Sequence, residues 1–402
     1  MTLLPSADIL RRRADVALIA VFFVLVWLPS AETFLHIDHT VAPQENRLPA
    51  TFPKFQPSLA GIGKYLAGLE TYFGDHFGYR RQLVRWQQRW QWKLFRDAKG
   101  TGAVTVLAGK GDWLFFAEPR TVNDYIGAIP FTAAELESWR TLLTGRRDWL
   151  RERGIRYLLV IPADKQSVYP EYLPDWLSSR IGPPQRLDQL LDHMRKHGDV
   201  PILDLRATML EAKKLGEIYL HTDTHWNALG AFAAYRRIVQ EVSALGLPST
   251  PLDSDAFDHT VAATGPTGDL AEMLGQAGLL LERNTPKISL KPSLPRAAIR
   301  MEPDLIPRKW PPGTEPRVTE NPSAKGKMVM FHDSYAQHLF QFLGQNYGRI
   351  VFVWQAHWDK PVIEREKPDI VIDEILQRVL IFLDPEDVRA EDEGVEAPPP
   401  TR

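Results

Sequence analysis

His221, Asp223 and His225 stand two apart in the run His221-Thr222-Asp223-Thr224-His225-Trp226-Asn227. On extended backbone, residues two apart project to the same side, so a carboxylate able to fix an imidazole is built in locally while Thr222 and Thr224 face away. Such a base needs a nucleophile, and the chain has no cysteine to supply one. The candidate is Ser334, in Phe331-His332-Asp333-Ser334-Tyr335. It follows a β-prone run, Lys327 to Phe331, and precedes a helical pattern of Tyr335, Leu339, Phe340, Phe342 and Leu343. A strand-to-helix turn exposes a hydroxyl, and a helix N-terminus favours developing negative charge. The chemistry indicated is acyl transfer, with Ser334 as nucleophile, His225 as general base and Asp223 as the group that orients the imidazole. A backbone N–H of Ser334 or Tyr335 supplies one oxyanion donor in this scheme, and Tyr335, Lys165 and Asn227 are candidate pocket residues.

Two other readings stay open. His221, Asp223 and His225 also have the spacing to place three metal ligands on one face, with His332 and Asp333 completing the site, although no zinc-helix motif is present. Alternatively, these residues only cap a helix and fill a strand end in a non-catalytic scaffold.

The surrounding pattern is α/β. Thr132-Ala133-Ala134-Glu135 has capping-box spacing and opens a helix that Gly154 ends. Ile155 to Ile161, Val200 to Leu205, Ile350 to Trp354 and Ile370 to Ile372 read as strands, with a helix from Arg186 to His197 between the first two. That rhythm predicts a parallel sheet flanked by helices, with ligands at the carboxyl ends of its strands. Asp164-Lys165 ends one of them, as a pocket wall or a solvated turn. Ile218 to Leu220 gives a short strand before the heptapeptide, and Asn227 can cap a helix from Ala228 to Leu245. Val104 to Phe116 reads as a hairpin, 61–95 as two helices with tryptophans as packing residues, 247–325 as an irregular insertion or lid carrying short strands, and 384–402 as a disordered tail.

With 402 residues the chain can hold one large domain with additions, or two. A net charge of −2 gives no overall basic field, so nucleic acid is not expected as a partner. Absence of cysteine removes disulfides and thiolate metal sites without locating the protein. The N-terminus is more informative. Arg11-Arg12-Arg13 precedes an uncharged run, Val16 to Leu28, in the order of a signal peptide or signal anchor. Residues 1–37 are therefore expected to be a basic stub and inner-membrane anchor, 38–60 a linker, and 61–383 an exported, periplasmic domain.

Several segments together resemble the SGNH hydrolase-like domain of the AlgJ/AlgX family of alginate O-acetylation proteins. They are Glu45-Asn46-Arg47, GKGDWLF at 109–115, IPADKQSVYPEYLP at 161–174, TDTHWN at 222–227, GDLAEMLG at 268–275, Asp333-Ser334-Tyr335 and EKPDIVI at 366–372. In that family the catalytic blocks are permuted, the Asp-x-His segment preceding the serine. The resemblance implies a circularly permuted SGNH-hydrolase-like fold, with Asp223, His225 and Ser334 matching the triad, and a transferase or esterase that moves acetyl onto an exopolysaccharide. It further implies an AlgJ-type member whose acetyl donor is relayed by a membrane-bound O-acyltransferase partner, with no cofactor or metal. Three departures from ordinary SGNH enzymes stand out: His332 replaces the glycine of Gly-Asp-Ser, the spacing is Asp-x-His rather than Asp-x-x-His, and the asparagine block is not recognisable.

Overall fold

The computed structural model describes residues 7–35, 50–90 apart from positions 56, 58, 77, 80, 81, 84, 85, 88 and 89, and 105–394 apart from position 183. Glu45-Asn46-Arg47 lies outside the described residues. The chain divides into two compact units, Met1–Trp90 and Gln91–Arg402. Residues 61–90, expected in one domain with the rest of 61–383, fall in the first unit.

In the first unit, α1 is Ala7–Leu35 and α2 is Leu59–His76. Among the described residues no helix is long and apolar enough to cross a membrane, so the expected anchor is not shown. The apolar part of α1 ends at Pro29, and a run from Val16 to Leu28 rises about 20 Å, short of a hydrocarbon core of about 30 Å. Trp86 and Trp90, expected as packing residues, meet edge to face with 6.0 Å between ring centroids and stay largely exposed.

The second unit opens on a hairpin, β1 (Val106–Ala108) against β2 (Leu114–Phe116), closed by Gly111 and Asp112 at positive φ. Next come α3 (Ala133–Arg151), β3 (Arg156–Ile161), α4 (Arg186–His197), β4 (Ile202–Asp204), α5 (Arg206–Lys213) and α6 (Ala228–Ala244). The capping box of α3 is formed as expected, Glu135 N–H donating to Thr132 Oγ1 and Thr132 N–H to Glu135 Oε2. Then follow a separate ribbon, β5 (Phe257–Thr264) with β6 (Arg283–Leu290), and β7 (Ala298–Met301), β8 (Arg317–Glu320), β9 (Lys327–His332), β10 (Arg349–Trp354), α7 (Lys360–Glu366), β11 (Ile370–Glu374) and α8 (Pro385–Asp392).

One sheet of seven strands, ordered β4-β3-β11-β9-β10-β8-β7, carries the unit. The strands β4 to β10 in that order are parallel, but β8 and β7 add on antiparallel, so the sheet is mixed rather than parallel. Both antiparallel strands come from the stretch expected to be an irregular insertion. The side chains of β7 are all exposed, so no alternation betrays the strand. Ile218 to Leu220, expected as a strand, contributes only an isolated bridge from Tyr219 to Trp226.

The pleat divides the central strands between two cores. Met328, Met330, Ile370 and Ile372 pack with Trp226, Tyr235 and Ile238 on the α6 side, and Val329, Phe331 and Val371 with Trp139, Leu143 and Leu190 on the α3–α4 side. Burial on both faces explains why these strands read as continuous apolar runs. The tail expected to be disordered is structured at least through α8. Buried Arg146 bridges Asp373 at 2.6 Å and Asp392 at 2.8 Å, and Trp358 Nε1 donates to Asp373 Oδ1 at 2.7 Å. A buried guanidinium can stay charged only with such partners, and they tie α8 to the sheet.

Candidate active site

The carboxyl ends of β3, β11 and β9 deliver Asp164-Lys165, Glu374 and Asp333-Ser334 to one side of the sheet, and the 221–227 segment closes over them. Ser334 opens a turn of 3-10 helix, Ser334–His338, so its backbone N–H precedes any intrahelical acceptor. The structure brings the three expected residues into line. Ser334 Oγ lies 2.8 Å from His225 Nε2, and Asp223 Oδ1 lies 2.6 Å from His225 Nδ1. Asp223 Oδ1 also accepts the His225 backbone N–H at 2.8 Å, so this local turn fixes the pair before any long-range contact. Asp223 and His225 keep 18% and 16% of their side-chain surface exposed, which leaves the line accessible. The neighbouring imidazole, together with backbone N–H groups, holds the Asp223 carboxylate far below its usual range against the opposing effect of burial. An ionised Asp223 on Nδ1 leaves Nε2 as the acceptor facing the serine.

The three candidate pocket residues have other work. Lys165 is buried and its ammonium donates to the carbonyls of Leu114, His221 and Asp223 at 2.7, 2.8 and 2.9 Å, so it ties the hairpin to the base-bearing segment from beneath. Asn227 caps α6, Oδ1 accepting from Leu229 N–H at 2.9 Å and Gly230 N–H at 3.2 Å. Tyr335 is fully buried, its hydroxyl donating to the Thr224 carbonyl and its ring 4.9 Å from that of His225. The Tyr335 N–H is committed to Asp333 Oδ1 at 3.0 Å, so of the two oxyanion donors named from sequence only the Ser334 N–H is uncommitted among the described residues.

The ligand set of the metal reading does not assemble. His221 turns outward, its ring tilted against that of Trp113 at 4.3 Å with Nε2 on Glu217, while His332 is buried against Phe340, Phe352 and Trp354. A different group, Asp223, His225 and Asp269, lies close enough to hold an ion, but Nδ1 of His225 is already engaged by Asp223.

Four neighbours of the site were not anticipated. Asp269 sits beside His225, and Glu282 accepts the N–H groups of His221 at 2.9 Å and Thr222 at 2.5 Å. Both belong to the proline-rich insertion, and the compact Gly268-to-Gly275 segment was the available signal for the first. Gly268 has no room for a β-carbon, which would lie 2.4 Å from the Thr222 carbonyl carbon. Behind the nucleophile, Asp333 accepts from Tyr335 and Leu376 N–H while its own N–H donates to Glu374. Burial and the Asp333 charge push the Glu374 carboxyl well up, so Glu374 holds the proton of this pair. His338, one turn beyond Ser334, has its ring 5.4 Å from His225; burial, then that neighbour, push it down to about 4 and keep it neutral near pH 7.

His332 gives a pH test of stability. Burial pushes its imidazole down to about 4, against about 6.5 in an unfolded chain. Between these values the unfolded chain binds a proton that the folded one refuses, so stability is lost as pH falls through that window. A gap from about 6.5 to about 4 is worth up to about 3 kcal/mol. His332→Phe is expected to flatten the fall in stability between pH 7 and 4.5 in urea melts. An unaltered slope would count against the assignment.

Residues 106–296 match the family model described as SGNH hydrolase-like domain, acetyltransferase AlgX. The resemblance to the AlgJ/AlgX family is borne out. That match includes Asp223, His225 and Asp269 and stops before Ser334. The probable alginate O-acetylase AlgJ of Pseudomonas putida is 30% identical over 216 residues, 53% of this chain and 52% of that protein. Its namesake in Pseudomonas fluorescens is 27% identical over 278 residues, 68% of this chain and 60% of that one. The chain thus spans about half to three-fifths of the length of these curated relatives. Among solved structures, Bacillus cereus PatB1 superposes with a TM-score of 0.52 at 15% identity, covering 69% of this chain and 99% of that one, a likeness of fold.

Proposed function

We propose that this chain is an O-acetyltransferase that moves acetyl groups onto hydroxyls of an exopolysaccharide through an acetyl-serine intermediate. The observation that carries the reading is the continuous line from Ser334 Oγ through the His225 ring to Asp223, at 2.8 and 2.6 Å. In the first half-reaction Ser334 Oγ attacks the acetyl carbonyl carbon and its proton passes to His225 Nε2. Asp223 stabilises the imidazolium, and the Ser334 N–H faces the developing oxyanion. The proton then moves to the leaving oxygen as its bond to the acetyl carbon breaks. In the second half-reaction an acceptor hydroxyl gives its proton to Nε2, attacks the acetyl carbon and releases Ser334 Oγ–H.

Relatives named for alginate O-acetylation support an alginate-like acceptor. The basic-then-apolar N-terminus supports export to the periplasm with attachment to the inner membrane, where a membrane-bound O-acyltransferase would relay the donor. The same line also serves hydrolysis if water reaches the acyl-enzyme, and acceptor access separates the two activities.

The test is mass spectrometry of the chain after incubation with a chromogenic acetyl ester, with and without mannuronate oligosaccharide. One acetyl group on the peptide containing Ser334, moving to the oligosaccharide when it is added, is the expected result. Acetate release without transfer would make the protein an esterase, and a folded chain that takes up no acetyl would make it a scaffold. Turnover that stops with a chelator would return the metal reading.

A further inference from the structure

Asp269 has no part in the acyl-transfer scheme above, yet it is held against it from several directions. It opens the helical turn Asp269–Met273 within the insertion. Its Oδ1 accepts the Thr224 N–H at 2.7 Å and its Oδ2 accepts the Thr224 hydroxyl at 2.6 Å. Its own N–H donates to Asp223 Oδ2 at 3.0 Å, and its Oδ2 lies 3.8 Å from His225 Nδ1. Two carboxylates therefore flank one ring nitrogen, Asp223 on the hydrogen-bond line and Asp269 beside it. The flanking backbone fixes this arrangement: Gly268 N–H donates to Thr222 Oγ1 at 3.1 Å and Ala271 N–H to the Thr222 carbonyl at 3.1 Å. The segment 268–271 that carries Asp269 cannot swing away without breaking contacts to three consecutive residues, Thr222, Asp223 and Thr224.

We propose that Asp269 is a positioning residue for acyl transfer, a second carboxylate carried in by the insertion that holds Asp223 in line with His225 and offsets the charge the imidazole gains. The inference rests on the reading of Ser334, His225 and Asp223 as the reacting line. While the ring is neutral, the two carboxylates face each other across it and repel. Burial and the Asp223 charge both raise the Asp269 carboxyl accordingly. When Ser334 Oγ–H gives its proton to Nε2, the net charge of the three groups falls from −2 to −1, so the gain arises as the transition state forms.

Other polar or titratable groups meet this cluster from each packed element. Ser334 and His338 face His225 from the nucleophile turn, and buried Tyr335 lies under it. Lys165 reaches the Asp223 carbonyl from beneath, with Glu282 holding His221 and Thr222 on the insertion side. Asp333 acts on His225 through charge, and Arg378 meets Tyr335 through both charge and a side-chain hydrogen bond. None of these donates a hydrogen bond to the Asp269 carboxylate among the described residues, so a neutral replacement there removes one charge from the ring's surroundings.

The test is the pH profile of kcat/KM for ester turnover in Asp269→Asn, which keeps an oxygen for the Thr224 N–H. A ring that loses a neighbouring anion holds its proton less tightly, so the acid limb is expected to move down by about one pH unit. The plateau is expected to fall about tenfold, the rate equivalent of one such unit. A residue that only braced the fold would lower the plateau and leave the limb in place. Asp269→Glu is expected to restore the limb, and Asp269→Ser, smaller and also neutral, reads the same shift should the asparagine variant unfold. NMR titration of the His225 ring in a Ser334→Ala background, with and without Asp269→Asn, repeats the measurement without turnover. Unmoved limb and unmoved titration, with Ser334→Ala inactive, would overturn the role of Asp269. Full activity in Ser334→Ala would instead overturn the reading beneath it.

Discussion

Ser334→Ala is expected to lower acetyl-ester turnover roughly ten-thousandfold or more, with binding of the ester little changed. The serine is half-buried at the end of a fully structured strand, so removing its oxygen leaves no cavity of consequence and the variant should melt like the parent. His225→Ala should match it, because a hydroxyl without its base at 2.8 Å is a poor nucleophile. Asp223→Asn should cost somewhat less, roughly a thousandfold to ten-thousandfold, since the ring then loses its orienting carboxylate at 2.6 Å but keeps the oxyanion donor. The sharper measurement is the double variant of Ser334 and His225. Residues that act as one unit are not additive, so the double variant should be no slower than either single one. Losses that multiply would show two independent contributions and sink the concerted scheme, as would a Ser334→Ala protein that turns over the ester normally.

That geometry was legible in part because its decisive contacts are local. Asp223 and His225 are two residues apart, and one oxygen binds both the backbone and the ring of the histidine, so spacing alone carries the pair. The serine could be found because a strand-to-helix turn leaves a mark in periodicity. The capping box at Thr132 and the helix cap at Asn227 were readable for the same reason: each is settled within three residues. What escaped is settled at a distance. Asp269 and Glu282 reach the 221–225 segment across 45 to 61 positions from a stretch whose prolines hide any period. Short strands were expected in this stretch, but that β7 and β8 extend the main sheet is decided by pairing, and four-residue strands leave too little pattern to place them. In the tail, acidic composition argues for disorder, whereas its one buried aspartate is met by Arg146 from α3 across 246 positions.

Lys165 is the residue for which sequence was least informative, and its replacement should have the largest structural effect. A lysine just after a strand reads equally as a pocket wall or a solvated turn, yet this one is 2% exposed and donates to three main-chain carbonyls. As an ammonium the group has one proton for each of the three carbonyls, and as an amine, above about pH 7, it keeps two. Lys165→Met keeps the length of the side chain and removes every donor. Buried carbonyls left without partners cost about 1–3 kcal/mol each; the His221 carbonyl keeps the Leu114 N–H at 2.9 Å, so the loss of stability is expected to be about 3 kcal/mol. Because the Asp223 carbonyl is one of the three, the same change should also lower turnover, by about tenfold to a hundredfold from misalignment of the base. The effect carries a pH signature. Burial pushes the ammonium down to about 7, whereas an unfolded lysine titrates near about 10.4. Between these values the unfolded chain holds more protons than the folded one, so the native protein gains stability relative to the variant as pH rises from 7 towards 10. Urea melts at pH 7 and 9 measure both the offset and its slope. A variant as stable as the parent at both would show that the three hydrogen bonds contribute nothing net, and that the base-bearing segment is held in place by Glu282 and the insertion instead.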